Sequence, residues 1–116
     1  MAERLSYTEK KLRSITEAEW QSTVIQWARI NHWKVFWAPA NRPGKNGHIQ
    51  PITAGWPDLT FVREGEIIMA ELKRELGKTT AQQDEFIRLL RSAGITVYVW
   101  RPSDDAKMRA ILRRPN

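Results

Sequence analysis

Pro57-Asp58-Leu59-Thr60-Phe61-Val62, then Arg63-Glu64-Gly65-Glu66, then Ile67-Ile68-Met69-Ala70-Glu71-Leu72-Lys73 is the stretch that decides the fold. The first run is short, apolar and rich in β-formers, the middle four residues read as a turn, and the last run is apolar again. The stretch therefore predicts an antiparallel hairpin. Side chains on a strand alternate, so Ile67, Met69, Glu71 and Lys73 share one face while Ile68, Ala70 and Leu72 share the other. The first set begins apolar and ends charged, as expected of a face that leaves the core at the strand's end, where a cleft can open. Asp58 begins the partner strand, opposite that end.

Two carboxylates and a lysine gathered there have a definite chemical use. Mg²⁺ is a hard ion, commonly held by one or two carboxylates together with water and a substrate phosphate. Asp58 and Glu71 supply such ligands, and the Leu72 carbonyl between Glu71 and Lys73 adds a backbone oxygen. A bound ion lowers the pKa of a coordinated water and neutralises charge on a scissile phosphate, while Lys73 orients the water and faces the phosphate as a point charge. The competing reading is an ordinary solvated Glu71/Lys73 pair at a strand end.

Composition limits the choices. At 116 residues and 41% hydrophobic, the chain is long enough for one core and too short for two ordinary domains. Nineteen Lys and Arg against thirteen Asp and Glu leave a net charge of +6, which favours a polyanionic partner such as nucleic acid. The absence of cysteine excludes disulfides and thiolate metal sites and fits a reducing compartment. No apolar run approaches the roughly 20 residues of a membrane span, and the N-terminal residues, with Arg4, Glu9, Lys10 and Lys11, show no signal-peptide core. A soluble, intracellular, cytoplasmic protein is expected.

Outward from the hairpin, residues 1–15 are polar and read as a loose basic arm in which Leu5, Tyr7, Leu12 and Ile15 dock weakly. Residues 16–113 read as a single domain. Thr16 with Glu19 forms a capping box opening a helix to about Ile30. Trp33 to Trp37 reads as a first strand, and residues 38–55, with three prolines and three glycines, as a long loop. Beyond the hairpin, Gly77 to Thr80 introduces a helix running to about Ala93, Gly94 ends it, Ile95 to Trp100 is a strand, and Ser103 caps a last helix through Leu112.

The helices point back at the hairpin. Glu17, Gln21, Val24 and Ala28 fall on one stripe flanked by Trp20 and Ile25, with Glu19 nearly opposite, so Glu17 begins a buried-looking face. In the later helix Gln83 lines up with Phe86, Ile87 and Leu90. A carboxylate and an amide in these first turns are placed to reach a site at the sheet's edge. The simpler alternatives are that Glu17 complements the helix dipole and that Gln83 only closes a capping box with Thr80.

Taken together, Glu17 to Gln21, Gly55-Trp56-Pro57-Asp58, Ala70-Glu71-Leu72-Lys73, Gly77 to Gln83 and Val97 to Pro102 resemble the VRR-NUC branch of the PD-(D/E)XK nuclease superfamily. The resemblance runs from about Thr16 to Arg101. It implies an α/β fold with a restriction-endonuclease-like αβββαβ core, a mixed sheet flanked by helices. It also implies a nuclease using Mg²⁺ or Mn²⁺, with Asp58 and Glu71 as ligands and Lys73 as the catalytic lysine. Glu17 would join the metal's outer shell and Gln83 would orient the site. Trp56 departs from the pattern, which has smaller residues there. Stand-alone members of the branch are similar to phage-type nucleases of bacterial hosts, some of them homodimers that cut Holliday junctions, so branched DNA and a homodimer are the expected partner and assembly. A nicking or restriction-type duplex nuclease, or an inert nucleic-acid-binding module of the same fold, is the alternative.

Several further residues attract functional readings. Arg42, Lys45, Arg74 and Lys78 flank the expected cleft and are candidate phosphate contacts. Trp56 is a candidate base or sugar contact. His48 is a candidate general acid or DNA contact, while His32 falls near the end of the first helix. Trp20, Trp27, Trp33, Trp37 and Trp100 fit core positions.

Overall fold

A computed structural model describes residues 6–37 and 54–115. It contains α1 (Tyr7–Ser14), α2 (Glu17–Ile30), β1 (Lys34–Trp37), β2 (Leu59–Arg63), β3 (Glu66–Leu72), α3 (Ala81–Ser92), β4 (Thr96–Trp100) and α4 (Asp105–Leu112). The strands form one mixed sheet in the order β1-β2-β3-β4, antiparallel across the first two pairings and parallel across the last. The fold is α/β, a four-stranded mixed sheet flanked by helices.

Helices α2 and α3 start where their sequence asks them to. At α2 the Thr16 hydroxyl accepts from the Glu19 N–H at 3.1 Å, and the Glu19 carboxylate accepts from the Thr16 N–H at 3.0 Å. Thr80 and Gln83 repeat the arrangement at α3. The hairpin closes through Glu64-Gly65, with Arg63 opposite Glu66 and Gly65 at φ +77°. Gly94 ends α3 at φ +90°, the left-handed position glycine adopts without steric cost. His32 takes the same position after α2 at φ +68°.

The sheet's two faces carry separate cores. Leu59, Phe61, Ala70, Leu72 and Trp100 pack beneath Trp20, Val24, Ile25 and Ala28 of α2 and Met108 and Leu112 of α4. Three indole N–H groups hold this layer together: Trp20 donates to the Trp100 carbonyl, Trp27 to Arg109 and Trp33 to Leu112. On the other face, Met69 and Val97 pack against Ile87 of α3. Helix α3 covers only the β3/β4 half, so Phe36, Val62 and Ile67 remain exposed.

Four sequence expectations change. The arm is partly a helix, because Ser6 and Glu9 form a capping box of their own and Ile15 docks on the main core. Leu12 is half-buried, Tyr7 is exposed, and Leu5 lies outside the described residues. The β3 face does not leave the core at its charged end: Ile67 is 49% exposed and Glu71 only 1%, since α3 sits over the later half of the strand. Trp37 is not a core residue, being 39% exposed on the edge strand. Ser103 does not cap α4, which begins at Asp105 after a 3₁₀ turn; the Ser103 N–H donates to Glu75.

Candidate functional site

Asp58 follows the buried Pro57 at the entrance to β2 and reaches across the hairpin, where its Oδ2 accepts the Leu72 N–H at 2.8 Å. That bond pins the carboxylate beside the end of β3. Glu71 lies one residue earlier on β3, opposite Val99 of β4 and beneath the first turn of α3. Its Oε2 accepts the Gln83 side-chain N–H at 2.9 Å and stands 3.5 Å from Lys73 Nζ, while its Oε1 is buried without a hydrogen-bond partner. The structure thus joins four of the expected residues: Asp58, Glu71, Lys73 and Gln83.

Electrostatics give this cluster its character. Burial first, and then the negative charge of Asp58, push Glu71 up to about 8 from an ordinary 4.5, with Lys73 pulling the other way. A buried carboxylate beside another carboxylate is costly unless a proton or a cation shares the space. The unpartnered Oε1 marks where that compensation belongs. Two carboxylates suit a hard divalent cation that keeps several waters. Among the described residues no group of three or more His, Cys, Asp or Glu is placed to hold a metal ion, so water and the Leu72 carbonyl would have to complete the shell.

The supporting backbone was less visible in the sequence. Gly55, at φ +95°, lies against the first turn of α3, where an added Cβ would fall 2.6 Å from the Gln82 carbonyl group and 2.9 Å from the Gln83 nitrogen. Only glycine lets the segment leading to Asp58 lie this close to the helix that carries Gln83. Trp56 completes the contact edge-on to Phe86 at 5.5 Å between centroids, and is 43% exposed. The Arg101 guanidinium grips the Gly77 carbonyl through two bonds of 3.0 and 2.7 Å, fixing the link between β3 and α3. The Lys73 N–H donates to the same Trp100 carbonyl that receives Trp20. A glycine next to an aromatic-proline-acid run is the one sequence signal for Gly55; Arg101 had none.

The other sequence candidates fall elsewhere. Glu17 is exposed in the first turn of α2 and makes no hydrogen bond or ion pair with the cluster, so the buried face begins at Trp20 instead. Arg74 is exposed and donates to the Arg13 carbonyl, and Lys78 is exposed. Arg42, Lys45 and His48 lie outside the described residues. No helix is long and apolar enough to cross a membrane among the described residues. No protein-family model, curated protein or solved structure matches the chain.

Proposed function

We propose that the chain is a divalent-metal-dependent DNA endonuclease of the VRR-NUC type within the PD-(D/E)XK superfamily, acting inside the cell on branched DNA such as a Holliday junction. The observation that carries this reading is the buried Glu71 with an unpartnered oxygen beside Asp58, flanked by Lys73 and Gln83. Asp58, Glu71 and the Leu72 carbonyl would hold Mg²⁺ or Mn²⁺. When bound, the ion would acidify a water and neutralise charge on the phosphate.

The chain's own residues would do the rest. The Leu72 N–H holds Asp58 in place, and the Gln83 amide fixes one Glu71 oxygen so that the other faces the site. Lys73, 13% exposed at its side chain, brings a positive charge to the cluster without being fully solvated, where it can face the attacked phosphate. One such site cuts one strand, so symmetric cleavage of a junction would require a homodimer with a two-fold axis.

The test is cleavage of linear duplex, single-stranded and four-way-junction DNA with and without Mg²⁺ or Mn²⁺, by the wild type and by Asp58→Ala and Glu71→Ala. Both variants are expected to lose cleavage while binding DNA as well as, or better than, the wild type. Near-normal turnover by either at saturating metal would sink the assignment, and a monomer that nicks plain duplex would favour the duplex nickase.

A further inference from the structure

Away from the carboxylates, two cavities meet along the outer flank of α2. One, of about 520 Å³, is lined by Glu17, Gln21, Gln26, Arg29 and Trp37 among others. The second, of about 480 Å³, is lined by Arg29, His32 and Lys34 together with Trp33 and Val35. Arg29 belongs to both, so they form one groove between α2 and the edge strand β1.

The chemistry along this groove is directional. Its end at Glu17 and Trp37 adjoins the sheet pole that carries the catalytic cluster, because Trp37 pairs with Leu59, the residue after Asp58. Among the described residues that line the two cavities, Glu17 is the only carboxylate. Away from it the lining passes through the amides of Gln21 and Gln26 to Arg29 and Lys34. The Arg29 guanidinium stacks 5.4 Å from the centroid of the Trp37 ring, which restrains it and lowers the entropy lost when it meets a phosphate. His32 lines the basic end from the left-handed position that terminates α2.

Resting on the nuclease reading above, we infer that this α2/β1 groove is the track for one phosphate backbone of the DNA, leading it from the basic end to the cleavage site. From Glu17 to Arg29 the helix extends roughly 18 Å, along which one strand carries about five phosphates. Arg29 and Lys34 contact phosphates, and Gln21 and Gln26 donate to backbone oxygens between them. A stripe of this kind positions the duplex without reading sequence.

The test measures binding of a fluorescein-labelled duplex and a four-way junction in EDTA over a series of KCl concentrations. Arg29→Gln/Lys34→Gln is compared with the wild type and with Arg88→Gln, which removes an exposed charge from α3 on the other face of the sheet. The double variant is expected to bind about tenfold or more weakly at moderate salt, with its log-log salt slope reduced by roughly 1.8, about 0.9 per lost contact. Arg88→Gln should change neither quantity appreciably. Because the chain has no cysteine, Gln26→Cys carrying a photo-crosslinker offers a single attachment point that should join to DNA. An unchanged slope in the double variant, an equal loss in Arg88→Gln, or no crosslink from position 26 overturns the track. Mg²⁺-dependent cleavage by the same proteins separates the two ideas: an unchanged slope with intact cleavage removes the track alone, whereas groove-dependent binding without cleavage removes the nuclease reading alone. A wild type that binds no DNA overturns both.

Discussion

The first turns of α2 and α3 carry the same capping device and use it differently. In each, a threonine hydroxyl accepts the N–H three residues on, and that third residue's side chain reaches back to the threonine N–H. At α2 the returning residue is Glu19, exposed and held below its ordinary range by the Thr16 N–H, then by the Thr16 side chain, with Arg74 adding a smaller pull. At α3 it is Gln83, whose carbonyl oxygen caps while its amide N–H reaches Glu71. An ionised glutamate only accepts hydrogen bonds, whereas glutamine accepts at one end and donates at the other. One amide therefore ties a helix start to the carboxylate cluster, and a carboxylate there would add a third acidic group.

Exchanging the two side-chain types should separate the two caps most strongly. Gln83→Glu keeps an oxygen for the Thr80 N–H but turns a second oxygen toward Glu71, where it repels. Cleavage should fall by about 100-fold or more, since displacement of a positioned group by about 1 Å costs that much, while the circular dichroism spectrum stays that of a folded protein. Glu19→Gln should leave the rate within about twofold, because a neutral amide still caps. Loss of activity at Glu19 with retention at Gln83 would assign the α2 cap, and not α3, to the site.

How far the sequence foretold this depends on the range over which each feature is decided. The hairpin was legible because alternation and the Glu64-Gly65 turn are local, and so were α2 and α3, whose caps lie within four residues. The cluster of Asp58, Glu71 and Lys73 followed from hairpin register. The depth of Glu71 did not, because the Ile67-Met69-Glu71-Lys73 face carries no sign of where α3 will lie, and that helix belongs to a later segment. Gly55 against Gln82 and Gln83, and Arg101 on the Gly77 carbonyl, are long-range backbone contacts for the same reason. Helix α1 was different: Ser6 and Glu9 were in plain view, but a short polar segment reads as an arm when nothing in it is buried.

A second test separates the two glutamates by pH. Glu71 has its folded-state value raised to about 8 from 4.5, so between these values the folded protein holds a proton that the unfolded chain has released. The stability associated with that proton is fully present below about 4.5 and is lost as the pH rises through about 8. In EDTA, urea denaturation should therefore show stability declining steadily as the pH rises across this window. Glu71→Gln should flatten that slope, and Mg²⁺ should offset it in the wild type by favouring the ionised carboxylate. Glu19→Gln should leave the slope unchanged, its ordinary titration being shifted the other way. A flat profile in the metal-free wild type would mean that Glu71 is ionised without compensation and would undercut the metal-site argument.

The smallest effect isolates the threonines. Thr16→Ala and Thr80→Ala each delete a side-chain oxygen that accepts one helix N–H, and each should cost about 1 kcal/mol of stability in urea. Their functional consequences should part, because the N–H released at α3 belongs to Gln83 itself. With its own backbone less firmly held, Gln83 spends less time on Glu71, and cleavage by Thr80→Ala should drop by a few fold at saturating Mg²⁺ with DNA affinity unchanged. Thr16→Ala frees the Glu19 N–H, remote from the carboxylates, and should cut at the wild-type rate when assayed well below its unfolding temperature. Equal stability losses with unequal cleavage rates would show that the α3 cap acts on the site through Gln83. Equal cleavage rates would reduce both boxes to helix starts, and Gln83 would then hold Glu71 by packing of α3 alone.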